Sequence, residues 1–243
     1  MVKRMAKTKY QVVYQELLET IQEGRLKPGE VLPSENVLSD KYEASRETIR
    51  KALNLLAQNG HIQKIKGKGS VVLDTQRMSF PVSGLVSFKE LSKTFGSQTV
   101  TNVHQLALIK ADDRVSKHLT CGADDEVWKI VRSREIKGEK IILDKDFLDK
   151  RIVPALTEEI CKNSIYEHLE GELGLKIGYA EKEITVEECT SEDRAYLDLH
   201  DFTHVVVVKN YVYLEDTSLF QFTESRHRLD KFRFVDFARR GQV

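Results

Sequence analysis

The chain has 243 residues, 40% of them hydrophobic and 31% charged, which is enough for two modest domains with buried cores. Its formal net charge is zero, but residues 1–74 hold 13 Lys and Arg against 9 Asp and Glu, whereas the remainder holds 25 against 29. That segregation excludes a uniformly basic or acidic molecule and points an anionic partner at the front of the chain.

No apolar run approaches the length of a membrane span, and the basic opening "MVKRMAKTK" leads into an amphipathic pattern instead of an apolar signal core. No membrane contact and a cytoplasmic setting are therefore expected. Cys121, Cys161 and Cys189 lie far apart, with no CxxC pair and no histidines at metal-ligand spacing. Reduced thiols are expected, with no metal and no cofactor.

In chain order, the apolar residues Tyr10, Val13, Tyr14, Leu17, Leu18 and Ile21 form the stripe of an amphipathic helix that Gly24 ends. Lys27 to Glu30 reads as a turn. Pro33-Ser34-Glu35 opens a second, short helix, with Ser34 as its N-cap. A third helix begins at Ser45, carries Ile49, Ala52, Leu53 and Leu56 on one face, and stops at Asn59-Gly60. "HIQKIKGKGSVVL" then predicts two short strands about a Lys-Gly-Lys-Gly turn. Residues 74–82, with Pro81, have no clear period and read as a linker. Beyond it, strands are predicted near 127–136 and 139–148 around Lys137-Gly138, a helix near 164–172, and a long hairpin around Glu215-Asp216. Strand pairs mixed with helices predict an antiparallel α+β domain. The expected division is 1–74, a linker at 75–82, and 83–243.

On the third helix, 100° per residue sets Glu47, Arg50, Lys51 and Asn54 opposite the apolar stripe, with Arg46 and Thr48 flanking the first turn. Its N-terminal half thus offers Arg46, Thr48 and Arg50, the half that enters a major groove in helix-turn-helix proteins. Lys64, Lys66 and Lys68 with Gly67 and Gly69 suit close approach of a hairpin tip to phosphate or the minor groove. A solvated helix face explains the helix charges alone, but helix and basic hairpin together point to double-stranded DNA.

The stretch "LPSENVLSDKYEASRETIRKALNLLAQNGHIQKIKGKGSVV" resembles the winged helix-turn-helix of the GntR family of bacterial transcription regulators, in its LPSE, SRxTxRxAL and G-x-G elements. The resemblance implies DNA contacts by Glu35, Asn36, Ser45, Arg46, Thr48 and Arg50 and by a wing of Lys66, Gly67, Lys68 and Gly69. Asn36 stands where the family usually has arginine. Glu43 stands where it often has glycine, which strains the turn if a positive φ is needed there.

In the second domain, "SFKE" (Ser87 to Glu90) reads as a capping box and so as a helix start with unpaired N–H groups. Alternation in "VWKIVRSREI" places Trp128, Ile130, Arg132, Arg134 and Ile136 on one face, where the bland alternative is an exposed polar sheet face. This domain is similar to the ligand-binding domain of the HutC branch of the GntR family. That likeness implies a UTRA-type α+β fold with a mainly antiparallel sheet, related to chorismate lyase, behind a mainly α front domain with a small β wing. It implies a phosphate site of Ser87, Phe88, Lys89, Arg132 and Arg134, and sugar contacts by Asp144, Ser164, Tyr166, Gln221 and His227. Asp144, Gln221 and His227 depart from the family's usual Glu, Glu and Tyr, and for Asp144 and His227 a surface position is the alternative.

The run "LFQFTESRHRLDKFRFVDFARR" resembles members of the branch that govern trehalose operons, which implies trehalose 6-phosphate as effector. Phe220, Phe222, Phe232 and Phe234 within it read as sheet core. The expected protein is a homodimeric repressor, paired through the C-terminal domain, that holds a palindromic operator and is released by the phosphosugar. Two rivals remain at this point: a regulator sensing a carboxylate such as urocanate, and a chorismate-lyase-like enzyme fused to a DNA-binding module. No Ser/His/Asp set or metal cluster supports the enzyme.

Overall fold

The computed structural model describes residues 8–74, 87–95 and 99–234. These fall into two compact units, one within 8–74 and the other within 87–234. The expected linker at 75–82 lies outside the described residues.

In the front unit, α1 (Lys9–Gln22) buries Val13, Leu17 and Ile21, as its stripe requires. α2 (Glu35–Tyr42) is capped by Ser34 Oγ, which accepts from the Val37 N–H at 3.4 Å. α3 (Arg46–Gln58) is capped by Ser45 Oγ, which accepts from the Thr48 N–H at 3.2 Å. The three helices close on one core that includes Leu17, Leu38, Ile49, Leu53 and Leu56. β1 (Ile62–Ile65) and β2 (Gly69–Val72) pair antiparallel, and Val31 adds a bridge to Val71 that the sequence pattern did not announce. Gly69 lies at φ +104, and a Cβ there would stand 3.1 Å from Val31 Cγ1, so two independent constraints require glycine.

The turn between α2 and α3 does need a positive φ. Glu43 occupies it at φ 46, ψ 46, the left-handed region that costs an L-residue free energy. The Lys9 ammonium donates to its carbonyl, and the Ala44 N–H closes the turn on Ser39 O at 3.0 Å.

The back unit runs α4 (Phe88–Phe95), β3 (Thr99–Lys110), α5 (Asp113–Leu119), β4 (Glu126–Ile136), β5 (Glu139–Asp149), α6 (Glu158–Asn163), α7 (Ile165–Gly171), β6 (Ile177–Glu188), α8 (Ser191–Tyr196), β7 (His204–Leu214) and β8 (Leu219–Arg228). Its six strands form one antiparallel sheet in the order β3-β4-β5-β8-β7-β6. Lys137 and Gly138, at φ 55 and 82, make the tight turn predicted between β4 and β5. The helix expected over 164–172 is α7, capped by Ser164, and a further short helix, α6, precedes it and ends at the same extended Ser164.

α6 and α7 lay Cys161, Ile165 and Leu169 on one sheet face against Ile130, Leu148 and Phe220. On the other face, Val115 and Leu119 of α5 pack near Phe147 and Phe222, while Leu197, just past α8, joins Val131, Leu143 and Val205. Phe220 and Phe222 are core, as expected. Phe232 is only half-buried against His227, and Phe234 is 52% exposed, so the expectation of four core phenylalanines is corrected to two. Both lie beyond the end of β8.

Candidate functional site

Two surfaces carry the residues that the sequence singles out. On the front unit, burial of Ile49, Ala52, Leu53 and Leu56 fixes the rotation of α3 and turns Arg46 and Arg50 outward. Arg50 Nη2 stands 3.4 Å from Glu35 Oε2, so Glu35 enters the surface as the group that steadies an arginine. Asn36 is exposed beside it. Ser45 Oγ, besides capping the helix, lies 2.9 Å from Thr48 Oγ1. Lys64 Nζ donates to Asn54 Oδ1 at 2.7 Å, which ties β1 to the outer face of α3. Burial lowers the Lys64 pKa, with Glu35 pulling it up and Arg50 pushing it down. Lys66, Gly67, Lys68 and Gly69 are all exposed at the hairpin tip. The surface is a row of donors and cations on one helix beside a basic turn whose glycines allow backbone approach.

The second site lies on the sheet face beneath α6 and α7. Cross-strand register puts Arg132 beside Asp144 and Asp144 beside Ser225, while Asp146 pairs with Thr223 and Ile142 with His227. Arg132 and Arg134 are each 5% exposed, so the exposed-face alternative fails. Arg132 donates from Nη2 to Asp146 Oδ2 at 2.6 Å and from Nη1 to the Cys161 carbonyl at 3.1 Å. Arg134 donates from Nε to Asp144 Oδ2 at 2.8 Å and from Nη1 to Thr101 Oγ1 at 2.7 Å, and the Phe88 ring stands 4.8 Å from its guanidinium carbon. Asp144 also accepts from Ser225 Oγ at 2.6 Å. Two buried arginines thus face two buried aspartates, and the set is neutral.

The electrostatics follow from that pairing. Burial opposes ionisation of Asp144, yet Arg134 and Arg132 hold its carboxyl below the usual range. Burial likewise opposes the Arg132 charge, but Asp146 and Asp144 raise its pKa, whereas for Arg134 burial and the neighbouring Arg132 prevail and lower it. His227 is buried, and desolvation drops its pKa to about 4 against the pull of Asp144, so it is neutral at pH 7. The surface alternative for Asp144 and His227 is therefore wrong: both sit inside the unit, because β5 and β8 are its central strands.

The remaining expected residues border this cluster or hold the elements around it. Ser164 is buried, and its Oγ caps α7 by accepting from the Glu167 N–H at 3.3 Å. Tyr166 packs on the same core, and burial raises its phenol pKa, as does the Asp146 charge. Ser87 and Glu90 form the predicted capping box at the start of α4: the Ser87 N–H donates to Glu90 Oε2 at 2.7 Å, and the Glu90 N–H to Ser87 Oγ at 3.3 Å. Lys89 Nζ reaches Glu167 Oε2 at 2.5 Å, linking α4 to α7. Gln221 Nε2 donates to Asp146 Oδ1 and Thr223 Oγ1, both at 3.0 Å. Asp146, Thr223 and Ser225 belong to the cluster and escaped the sequence reading. The available signal was period two, since Asp146 follows Asp144 and Thr223 follows Gln221 by two residues on strands.

Among the described residues no group of three or more His, Cys, Asp or Glu is placed to hold a metal ion, and no helix is long and apolar enough to cross a membrane.

Comparison with known proteins places both units in described families. Residues 9–72 match the model of bacterial regulatory proteins of the gntR family, and residues 95–233 match the UTRA domain. The chain is 59% identical to the HTH-type transcriptional regulator TreR of Bacillus subtilis, over 98% of this chain and 100% of that one. It is 27% identical to the transcriptional repressor NagR of the same organism, over 94% and 93%. Among solved structures, the possible transcriptional regulator YydK of B. subtilis aligns with a TM-score of 0.80 at 27% identity, covering 95% of this chain and 99% of that one. The effector-binding domain of the B. subtilis trehalose repressor aligns with a TM-score of 0.55 at 61% identity, covering 59% of this chain and 99% of that one. These relatives are regulators, and the enzyme alternative falls with them. A helix-turn-helix with a basic hairpin in front and a UTRA sheet behind is the HutC-type architecture, and the chain belongs to the GntR family of bacterial transcription regulators.

Proposed function

We propose that this regulator is a repressor of a trehalose-utilisation operon, released from its operator by trehalose 6-phosphate. The observation that carries the reading is the near-full-length identity of 59% to TreR, joined to a buried site with the chemistry a phosphosugar needs. Ser45, Arg46, Thr48, Arg50 and the wing at 66–69 contact operator DNA, with Glu35 and Asn36 at the edge of that surface. Arg132 and Arg134, with Ser87, Phe88 and Lys89 at the start of α4, receive the phosphate. Asp144, Ser164, Tyr166, Gln221 and His227 surround the sugar.

The working form is a cytoplasmic homodimer paired through the back unit, because a twofold protein matches the two half-sites of a palindromic operator. Release requires that trehalose 6-phosphate bind the non-operator conformation more tightly than the operator-bound one; equal affinity for both shifts nothing. The test is fluorescence anisotropy of an operator fragment at fixed salt, titrated with trehalose 6-phosphate, trehalose and glucose 6-phosphate. Release by the first alone is expected. Tight DNA binding indifferent to all three discards the effector assignment.

A further inference from the structure

We infer that Asp146 is a specificity-determining positioning residue: with Thr223 it fixes the amide of Gln221 so that position 221 offers the effector only an acceptor, which selects a sugar hydroxyl there and rejects a second anionic group. The inference rests on the proposed function for the identity of the ligand. The role of Asp146 itself comes from a count of protons.

A glutamine amide has two N–H protons and a carbonyl oxygen, and at ordinary precision its orientation is settled by its neighbours. At Gln221 the neighbours leave one choice. One proton goes to Asp146 Oδ1 and the other to Thr223 Oγ1, both at 3.0 Å. Thr223 in turn gives its own proton to Asp146 Oδ1 at 2.9 Å, so its oxygen is an acceptor toward Gln221. Turning the amide over would set its oxygen against the carboxylate. Gln221 Oε1 is therefore held away from Asp146, and it is buried with no hydrogen-bond partner among the described residues, in a side chain 2% exposed.

The other oxygen of Asp146 does the same for Arg132. Oδ2 takes Nη2, the Cys161 carbonyl takes Nη1, and Arg132 Nε is left buried and unpaired among the described residues. One carboxylate thus anchors two side chains, each with one unsatisfied atom, a donor and an acceptor. An unmet buried polar group costs free energy, and a pair of opposite polarity flanking one anchor fits a ligand that accepts at one point and donates at another. A sugar phosphate does so: an oxygen for Arg132 Nε and a hydroxyl proton for Gln221 Oε1. A carboxylate or second phosphate at Gln221 has no proton to give and meets the Asp146 charge behind it. A glutamate at 221 would set two carboxylates together where the Gln221 amide now donates to Asp146.

The test measures binding of trehalose 6-phosphate to the full chain by titration calorimetry, with a cooperative urea unfolding transition of the back unit as the check that each variant is folded. Gln221→Glu is expected to bind at least about tenfold more weakly at pH 7.5, and Asp146→Asn added to it to restore binding to within about threefold, since the asparagine amide can donate to the introduced carboxylate. Independently, Thr223→Val is expected to lose about tenfold and Thr223→Ser to match wild type. A Gln221→Glu protein that binds as wild type does, a folded double variant without recovery, or a Thr223→Val indistinguishable from Thr223→Ser overturns the role of Asp146 while leaving the effector reading intact. Should wild type not bind trehalose 6-phosphate at all, the effector reading fails and this inference with it.

Discussion

The two units use arginine in opposite ways. On α3, Arg46 and Arg50 stand in solvent, and the nearest carboxylate to Arg50 is 3.4 Å away. In the back unit Arg132, Arg134, Arg226 and Arg228 are all buried, each against at least one carboxylate at 2.6–2.8 Å. An exposed cation keeps its water until a polyanion displaces it, so it needs no counterion of its own. A buried one must bring its counterion with it, and a ligand then has to offer a better arrangement than the carboxylate already there. The surface of α3 is built to gain charge neutralisation on binding, whereas the buried Arg132, Arg134, Asp144 and Asp146 set is neutral beforehand.

The sharpest way to break that comparison is to remove a built-in counterion. Asp193 is fully buried, receives Arg226 Nε on both oxygens at 2.8 and 2.9 Å, and closes the capping box of α8 with Thr190. Asp193→Ala is expected to destabilise the back unit by about 3–5 kcal/mol in urea unfolding. Arg50→Ala, by contrast, should leave stability within about 0.5 kcal/mol.

Next in size is acid. The folded pKa of His227 lies below its unfolded value, at about 4. Its contribution is therefore intact above the unfolded pKa of about 6.5 and is lost as pH falls from there toward 4, by up to about 3 kcal/mol. Urea midpoints at pH 7.5 and 4.5 should draw closer together in His227→Gln; an unchanged gap would show that other groups carry the acid sensitivity.

Smaller effects belong to the front unit. Arg46→Ala and Arg50→Ala are each expected to weaken operator binding by about 1–3 kcal/mol and to relax preference at one base pair. Lys66→Ala should instead weaken all sequences alike and reduce the salt slope by about one. Smallest is Glu43→Gly, which relieves the left-handed turn and should raise the stability of the front unit by under about 1 kcal/mol in urea unfolding. A fall in stability would mean that the added freedom of the unfolded glycine outweighs the relief of the turn.

How much of this was legible in the sequence differs between the units for a physical reason. In front, the signals are local: Ser34 and Ser45 cap helices whose stripes repeat within a few residues, and Gly69 marks its turn, so the elements read correctly except for the Val31 bridge. Behind, β3 and β6 went unread. Both are edge strands with exposed residues on each face, so alternation is faint, and a bulge between Val103 and Gln105 shifts the period of β3. Period two did place Arg132 and Arg134 together. It could not show that β8 lies beside β5, and without that neighbour a surface position stayed open for Asp144 and His227, and Asp146 drew no attention.

The pairing of β5 with β8 also sets an order of events in time. Asp144 meets Ser225 across the sheet, 81 residues apart in the chain, whereas the α1 to β2 unit closes within its first 74 residues. Long loops close slowly, and a nascent chain emerges from its N-terminus. The helix that offers Arg50 can therefore pack while the strand that supplies Gln221 is still being translated, so the helix-turn-helix unit is folded ahead of the sheet behind it.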